Sequence, residues 1–222
     1  MLLLLAAAAL GSAQVKSVAL TDPAALQPLG AKAEAATFKG KQGLKLMHDS
    51  GAPRHSTDGG GGALAVVKGI TLQNGTVELE VAGTVGEGAS EGARGFIGLA
   101  FRLQGDGERY EYIYLRPTNG RADDQARRNH SVQYSSHPGW GWQRLRKETP
   151  EKYESYVDLE PGVWTRMKIT VEGTKAHLYV HDAAQPTLLV NDLKQGDAAG
   201  AVALWIGPGT VGYFRDLKLS PR

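Results

Sequence analysis

The chain has 222 residues and a mass of 23.7 kDa, which at about 150 residues per domain gives one domain, or one with a short appendage. Hydrophobic residues are 41% and charged residues 22%, a globular balance that excludes a disordered chain and a polytopic membrane protein. Basic residues number 25 and acidic residues 23, a net charge of +2 that gives no argument for a nucleic-acid partner; the absence of Cys excludes disulfide frameworks, thiolate zinc sites and cysteine nucleophiles.

Met1 to Leu10 is apolar and uncharged, and too short to span a bilayer. Gly11-Ser12-Ala13 puts small residues before Gln14, as a signal-peptidase site requires. Residues 1–13 are therefore expected to be a secretory signal, although they lack its basic start, and the protein to be secreted or periplasmic. Residues 14–61 read as an N-terminal extension with the first strand or strands, and 62–222 as the main domain. Thr21-Asp22-Pro23 opens a short helix through Leu29, with Asp or Thr as its cap. A strand-like piece follows at Gly43–Met47, and Gly59–Gly62 reads as a flexible loop. From there the pattern has period two, over Ala63–Val67, Thr76–Val81, Phe96–Leu103, Tyr110–Arg116, Ser131–Ser135, Thr165–Val171, Ala176–His181, Thr187–Val190, Ala201–Ile206 and Tyr213–Leu219. Turn signals such as Asn74-Gly75, Glu172-Gly173 and Gly207-Pro-Gly209 separate these runs. No other apolar run is long enough to span a membrane. Many short strands without a long amphipathic helix predict an all-β fold, a two-sheet antiparallel jelly-roll sandwich. Pro117 to Asp158 departs from the pattern, being polar, charged and aromatic. A connection that long is usually functional, so the site is sought there.

Two strings match catalytic or cofactor motifs without their context. Gly88-Ala-Ser90-Glu-Gly92 has the letters of a nucleophile elbow but lies in a loop between strands. Gly207-Pro-Gly209-Thr-Val-Gly212 has the letters of a dinucleotide loop, but a strand rather than a helix follows it. Glu78 and Glu80 share one strand face and read as a solvated surface, with Val77, Leu79 and Val81 towards the core. Glu148, Glu151 and Glu154 follow helical spacing, and Trp164 and Trp205 read as core.

Between Arg116 and Tyr134 stand four arginines, two aspartates, two asparagines, two glutamines and a histidine. Such groups either pair with one another or present donors and acceptors to a polar ligand. Sugars suit them: amide and guanidinium forks match vicinal hydroxyls, and aromatic faces match the apolar side of a ring. Period two puts Tyr112, Tyr114 and Arg116 on one strand face, with Arg102 outward on the neighbouring strand. Two tyrosines and two arginines make an exposed aromatic surface. The candidate ligand-binding residues are Arg102, Tyr112, Tyr114, Arg116, Asn119, Arg121, Asn129, Gln133 and Trp140. Asp124 and His130 are the candidate acid and base, each titratable and beside arginine or amide groups. His130 and His137 lack the supporting carboxylates of a zinc site. Asp123 and Asp124 suit calcium less than they suit the arginines around them. No metal and no cofactor is expected; structural calcium is left open, with nothing pointing to it.

The order Asn74-Gly-Thr-Val-Glu-Leu-Glu-Val81, Gly95-Phe-Ile-Gly-Leu-Ala-Phe-Arg102, Gly162-Val-Trp-Thr-Arg-Met-Lys-Ile169 and Gly212-Tyr-Phe-Arg-Asp-Leu-Lys218 resembles the concanavalin-A-like lectin/glucanase superfamily. Within it, the chain from about Gly62 to Leu219 is similar to the 3-keto-disaccharide hydrolase domain proteins, often labelled family 16 glycoside hydrolase-like. Arg102 matches the arginine that ends the corresponding strand there. The resemblance implies two antiparallel sheets with a concave carbohydrate face. Family 16 glucanases carry Glu-x-Asp-x-x-Glu, whereas Glu78-Leu-Glu80-Val-Ala-Gly83 has Glu for the Asp and Gly for the last Glu. The expected partner is a carbohydrate, with no nucleic acid, no membrane span and no identified protein partner. Three functions stay open: an enzyme processing a glycan or modified disaccharide on the concave face, a non-catalytic lectin-like module, and a laminin-G-like interaction domain.

Overall fold

The computed structural model describes residues 14–51, 62–105 and 107–222. The expected signal at residues 1–13 and most of the glycine run lie outside these residues.

In chain order the strands are β1 (Lys16–Val18), β2 (Leu26–Leu29), β3 (Ala31–Phe38), β4 (Lys41–His48), β5 (Ala63–Leu72), β6 (Gly75–Val85), β7 (Ile97–Gln104), β8 (Arg109–Leu115), β9 (Val132–His137), β10 (Glu154–Ser155), β11 (Thr165–Glu172), β12 (Lys175–Val180), β13 (Leu188–Val190), β14 (Gly200–Ile206) and β15 (Thr210–Pro221). They form two antiparallel sheets. An eight-stranded sheet runs β13-β12-β11-β6-β15-β4-β3, with β1 also on β15; a seven-stranded sheet runs β10-β9-β8-β7-β14-β5-β2. The strands before residue 51 thus belong to both sheets.

Alternation builds the core between the sheets. Val77, Leu79 and Val81 of β6 are buried while Glu78 and Glu80 stay at the surface. Ile97, Leu99 and Phe101 of β7 and Ile113 and Leu115 of β8 meet them from the other sheet. Each buried Leu or Ile contributes about 1.5–3 kcal/mol of hydrophobic stabilisation.

Three local expectations change. The helix expected over Thr21–Leu29 is a 3-10 turn at Pro23–Ala25, capped by Asp22, whose Oδ1 accepts from Ala24 N at 2.9 Å. Leu26–Leu29 then pairs with β5 as a strand. The segment Pro117–Asp158 is not bare loop: it holds α1 (Pro117–Gly120), α2 (Gln125–Asn129) and α3 (Trp142–Glu148) besides β9 and β10. The helix implied by Glu148, Glu151 and Glu154 ends at Glu148, and Glu154 sits on β10, paired with Gln133.

Candidate functional site

Strand β8 turns Glu111, Ile113 and Leu115 towards the other sheet and Tyr110, Tyr112 and Tyr114 to the outer face of the seven-stranded sheet. Its register sets Gln133 and Ser135 of β9 beside Tyr114 and Tyr112, and Gly98 and Ala100 of β7 on their other side. Trp205 of β14 lies opposite Gly98. Its ring centroid is 4.7 Å from that of Tyr114 and 5.1 Å from that of Tyr112. The small residue at Gly98 is obligatory, since a Cβ there would stand 2.1 Å from Ile113 O and 2.6 Å from Tyr114 Cα. This is the expected aromatic face, but it is not an open surface. Tyr112, Tyr114 and Trp205 are 4%, 2% and 2% exposed. Trp205, read as core, is buried, in a second apolar cluster on this outer face rather than between the sheets, because Leu204 and Ile206 take the inward phase.

A charged network closes one end of the face. Arg116 follows β8, caps α1 and is 5% exposed. Its guanidinium donates to Glu154 Oε1 (3.0 Å), Gln133 Oε1 (3.0 Å), Tyr114 Oη (3.1 Å) and His130 O (3.0 Å). Arg146 of α3 donates through Nε to Glu154 Oε2 at 3.0 Å and through Nη2 to Oε1. His130 Nδ1 lies 3.0 Å from Glu154 Oε2 but off the axis of a hydrogen bond. Burial alone would raise the Glu154 carboxyl; Arg146 and Arg116 outweigh it and hold the group below the usual carboxylate range. For His130, burial dominates and lowers the imidazole pKa; Glu154 opposes this, and Arg146 and Arg116 add to it.

Beside this network, between α2 and β10, opens a cleft of about 310 Å3, lined by Ala126, Asn129, His130, Glu151, Glu154, Ser155 and Tyr156. Tyr156 is 42% exposed. Arg128 donates to Tyr156 Oη at 2.8 Å and lies 5.1 Å from the ring centroid.

The structure therefore brings Tyr114, Arg116, Gln133 and His130 together, with Asn129 on the cleft wall. Asn119 lies buried behind them, its Nδ2 donating to His130 O at 3.2 Å. The remaining predicted residues have other surroundings. Arg102 does not share the tyrosine face. A bulge between Phe101 and Gln104 and a left-handed φ of 55° break the alternation at this residue. Its side chain, 1% exposed, donates to Gln73 O, Gly173 O, Gly196 O and Asp197, tying three loops of the two sheets together. Asp124 caps α2, its Oδ1 accepting from Arg127 N at 3.0 Å. Arg121 forms an exposed bidentate pair with Asp158 at 2.7 and 2.8 Å. Trp140 is half-buried, with Arg144 3.7 Å and Lys194 4.8 Å from its ring centroid. Among the described residues, no three or more His, Asp or Glu converge as a metal site would need. The residues that sequence reasoning missed are Glu154, Arg146 and Tyr156. None of the three carried a readable signal, and the spacing of Glu154 from Glu151 points to a helix rather than the strand it joins.

No protein-family profile and no curated protein matches this chain. Solved structures do. A carbohydrate binding module, CBM66, from Bacillus subtilis is 14% identical, with a TM-score of 0.56 over 88% of this chain and 96% of that one. A Bacillus subtilis protein of unknown function with a galectin-like fold is 11% identical, with a TM-score of 0.57 over 92% and 94%. A native glycosidic hydrolase is 10% identical, with a TM-score of 0.56 over 93% and 95%. At such identities the likeness is one of fold alone: the chain is a two-sheet antiparallel β-sandwich of galectin-like fold.

Proposed function

We propose that this chain is a secreted or periplasmic carbohydrate-binding protein whose ligand enters the cleft between α2 and β10. The observation that carries the reading is the cleft wall itself. Asn129, Ser155, Glu151 and His130 offer amide, hydroxyl, carboxylate and imidazole groups to sugar hydroxyls, beside the exposed Tyr156, whose hydroxyl accepts from Arg128. The ion-pair network of buried Arg116 and Glu154 with partly exposed Arg146 backs this wall. The location is supported only by the apolar run before Gln14. The test is an oligosaccharide panel read by calorimetry or an array. Binding is expected for the intact protein and lost in Tyr156→Ala and Asn129→Ala at unchanged melting temperature. A panel without binders, or binding indifferent to both substitutions, refutes the reading.

A catalytic reading has one observation in its favour. His130 is held neutral by burial, stands beside a carboxylate and reaches the cleft, which suits a general base. Product formation from oligosaccharides, followed by mass spectrometry and abolished in His130→Ala, would support it.

A further inference from the structure

We propose, resting on the carbohydrate-binding reading above, that Arg94 and Arg127 form a recognition site for an oxyanion, the carboxylate or sulfate group of an acidic glycan. Arg94 stands on the loop before β7, and its carbonyl accepts from Thr118 N of α1 at 3.3 Å. Arg127 stands on α2, roughly 100° round the helix from the cleft-lining Ala126. Neither side chain makes an ion pair among the described residues. The acidic residues in contact with these elements act elsewhere. Glu154 is shared by Arg116 and Arg146. Asp124 accepts from the Arg127 amide as the cap of α2, and Glu91 meets Arg94 through its backbone carbonyl.

The donor geometry fits an anion. Nη1 of Arg94 donates to the Glu91 and Ala93 carbonyls, the latter at 2.8 Å, which steadies the head group. Its Nε and Nη2 make no hydrogen bond among the described residues and are not buried. That leaves the Nε–Nη2 edge, the fork that meets two oxygens of a carboxylate or sulfate at once. Half-burial lowers the Arg94 pKa, and the charges of Arg127 and Arg116 lower it further, with no acidic group opposing them. Arginine stays protonated through such shifts, so the repulsion persists in the folded chain, and an oxyanion held between Arg94 and Arg127 relieves it. The neighbouring cleft favours a glycan over a free ion. A helix is about 10–12 Å across, so an oligosaccharide seated against Asn129 and Ser155 can extend round α2 to Arg127.

The test is calorimetry on the full chain with neutral oligosaccharides, their uronate-containing and sulfated counterparts, and sodium sulfate alone. The acidic member of a pair should bind about tenfold to a hundredfold more tightly, as charge-assisted hydrogen bonds give, and high salt should erode the preference. Arg127→Gln alters an exposed side chain with no internal bond. Arg94→Lys keeps the charge and removes the fork. Each should lose most of the acidic preference while neutral binding persists, with an unchanged circular dichroism spectrum. Equal affinity for neutral and acidic sugars, no binding of either, or a preference that survives Arg127→Gln would each overturn the proposal. Sulfate that binds alone, without any preference among the sugars, would overturn the glycan as occupant. Neutral sugars whose binding is lost in Tyr156→Ala uphold the underlying reading even where the acidic preference is absent, so the two failures are distinguishable.

Discussion

Replacing Glu154 by Gln is the most direct probe of the candidate site. The Glu154 side chain is 3% exposed and answers Arg116, whose side chain is 6% exposed, and Arg146, which is 35% exposed. Glutamine keeps the shape and one acceptor but leaves Arg116 buried without a counter-charge. Removing one partner of a buried pair costs about 3–5 kcal/mol. Arg116 keeps Gln133, Tyr114 and the His130 carbonyl as neutral acceptors, and Arg146 reaches water, which places the loss near the lower end, about 3 kcal/mol. For a domain of this size that is a fall in melting temperature of about 6–12 °C. Differential scanning calorimetry at pH 7 reads it directly. The carboxyl titrates below its ordinary range in the folded state, so its contribution is present above the unfolded-state pKa and is lost as pH falls through the folded one. The gap between the two proteins should therefore close in acid, below about pH 4. A fall of less than about 2 °C at neutral pH, or a gap that persists unchanged in acid, would refute the argument that this network is a desolvated one.

Other consequences follow from neighbouring features. Arg102→Ala removes a buried clamp on three loops and should cost about 3 kcal/mol in urea unfolding, while leaving binding at the cleft unchanged. Arg121→Ala, removing an exposed pair, should shift the urea midpoint far less than Arg102→Ala. Gly98→Ala drives a Cβ into Ile113 O and should destabilise by about 1–3 kcal/mol or more, the cost of overpacking. The lowered imidazole pKa of His130 means that stability is full above about pH 6.5 and declines as pH falls through that value towards the folded pKa. In His130→Gln the melting temperature should lose this slope between about pH 7 and 5.

The sandwich was legible because its central strands obey period two. Val77, Leu79 and Val81 alternate with two glutamates, and Ile113 and Leu115 alternate with tyrosines, so inward and outward faces separate without tertiary information. The edge strand β3 was not legible. Its residues are mostly alanine, lysine and glutamate, which carry weak strand preference, and its pairing with β4 decides its state. The candidate site was legible in composition and not in geometry. The polar block did supply Arg116, Gln133, Asn129 and His130. The carboxylate at their centre comes from Glu154, whose spacing from Glu151 mimics a helix until β9 captures it as a strand partner. Arg102 was misplaced because a single left-handed residue reverses the facing of a strand, and nothing in its side chain announces that.

The carboxylates decide which chemistry is available in the cleft. Hydrolysis by paired carboxylates needs one protonated acid and one free base or nucleophile. Glu154 is held ionised and is already accepting from two arginines, so it can serve neither role without breaking the network. Asp124 is engaged in capping α2. Glu151 remains, an exposed carboxylate held at a left-handed φ of 65°, a conformation that costs a non-glycine residue energy and often marks a functional position. In a binding protein, Glu151→Gln keeps an acceptor towards sugar hydroxyls and should weaken affinity only modestly, about tenfold or less. In an enzyme acting through Glu151 and His130, the same substitution should abolish turnover while binding survives. Measuring affinity and product formation on this one variant separates the two readings: retained binding with no product from either protein leaves a lectin-like function, and product lost from the variant alone makes Glu151 catalytic.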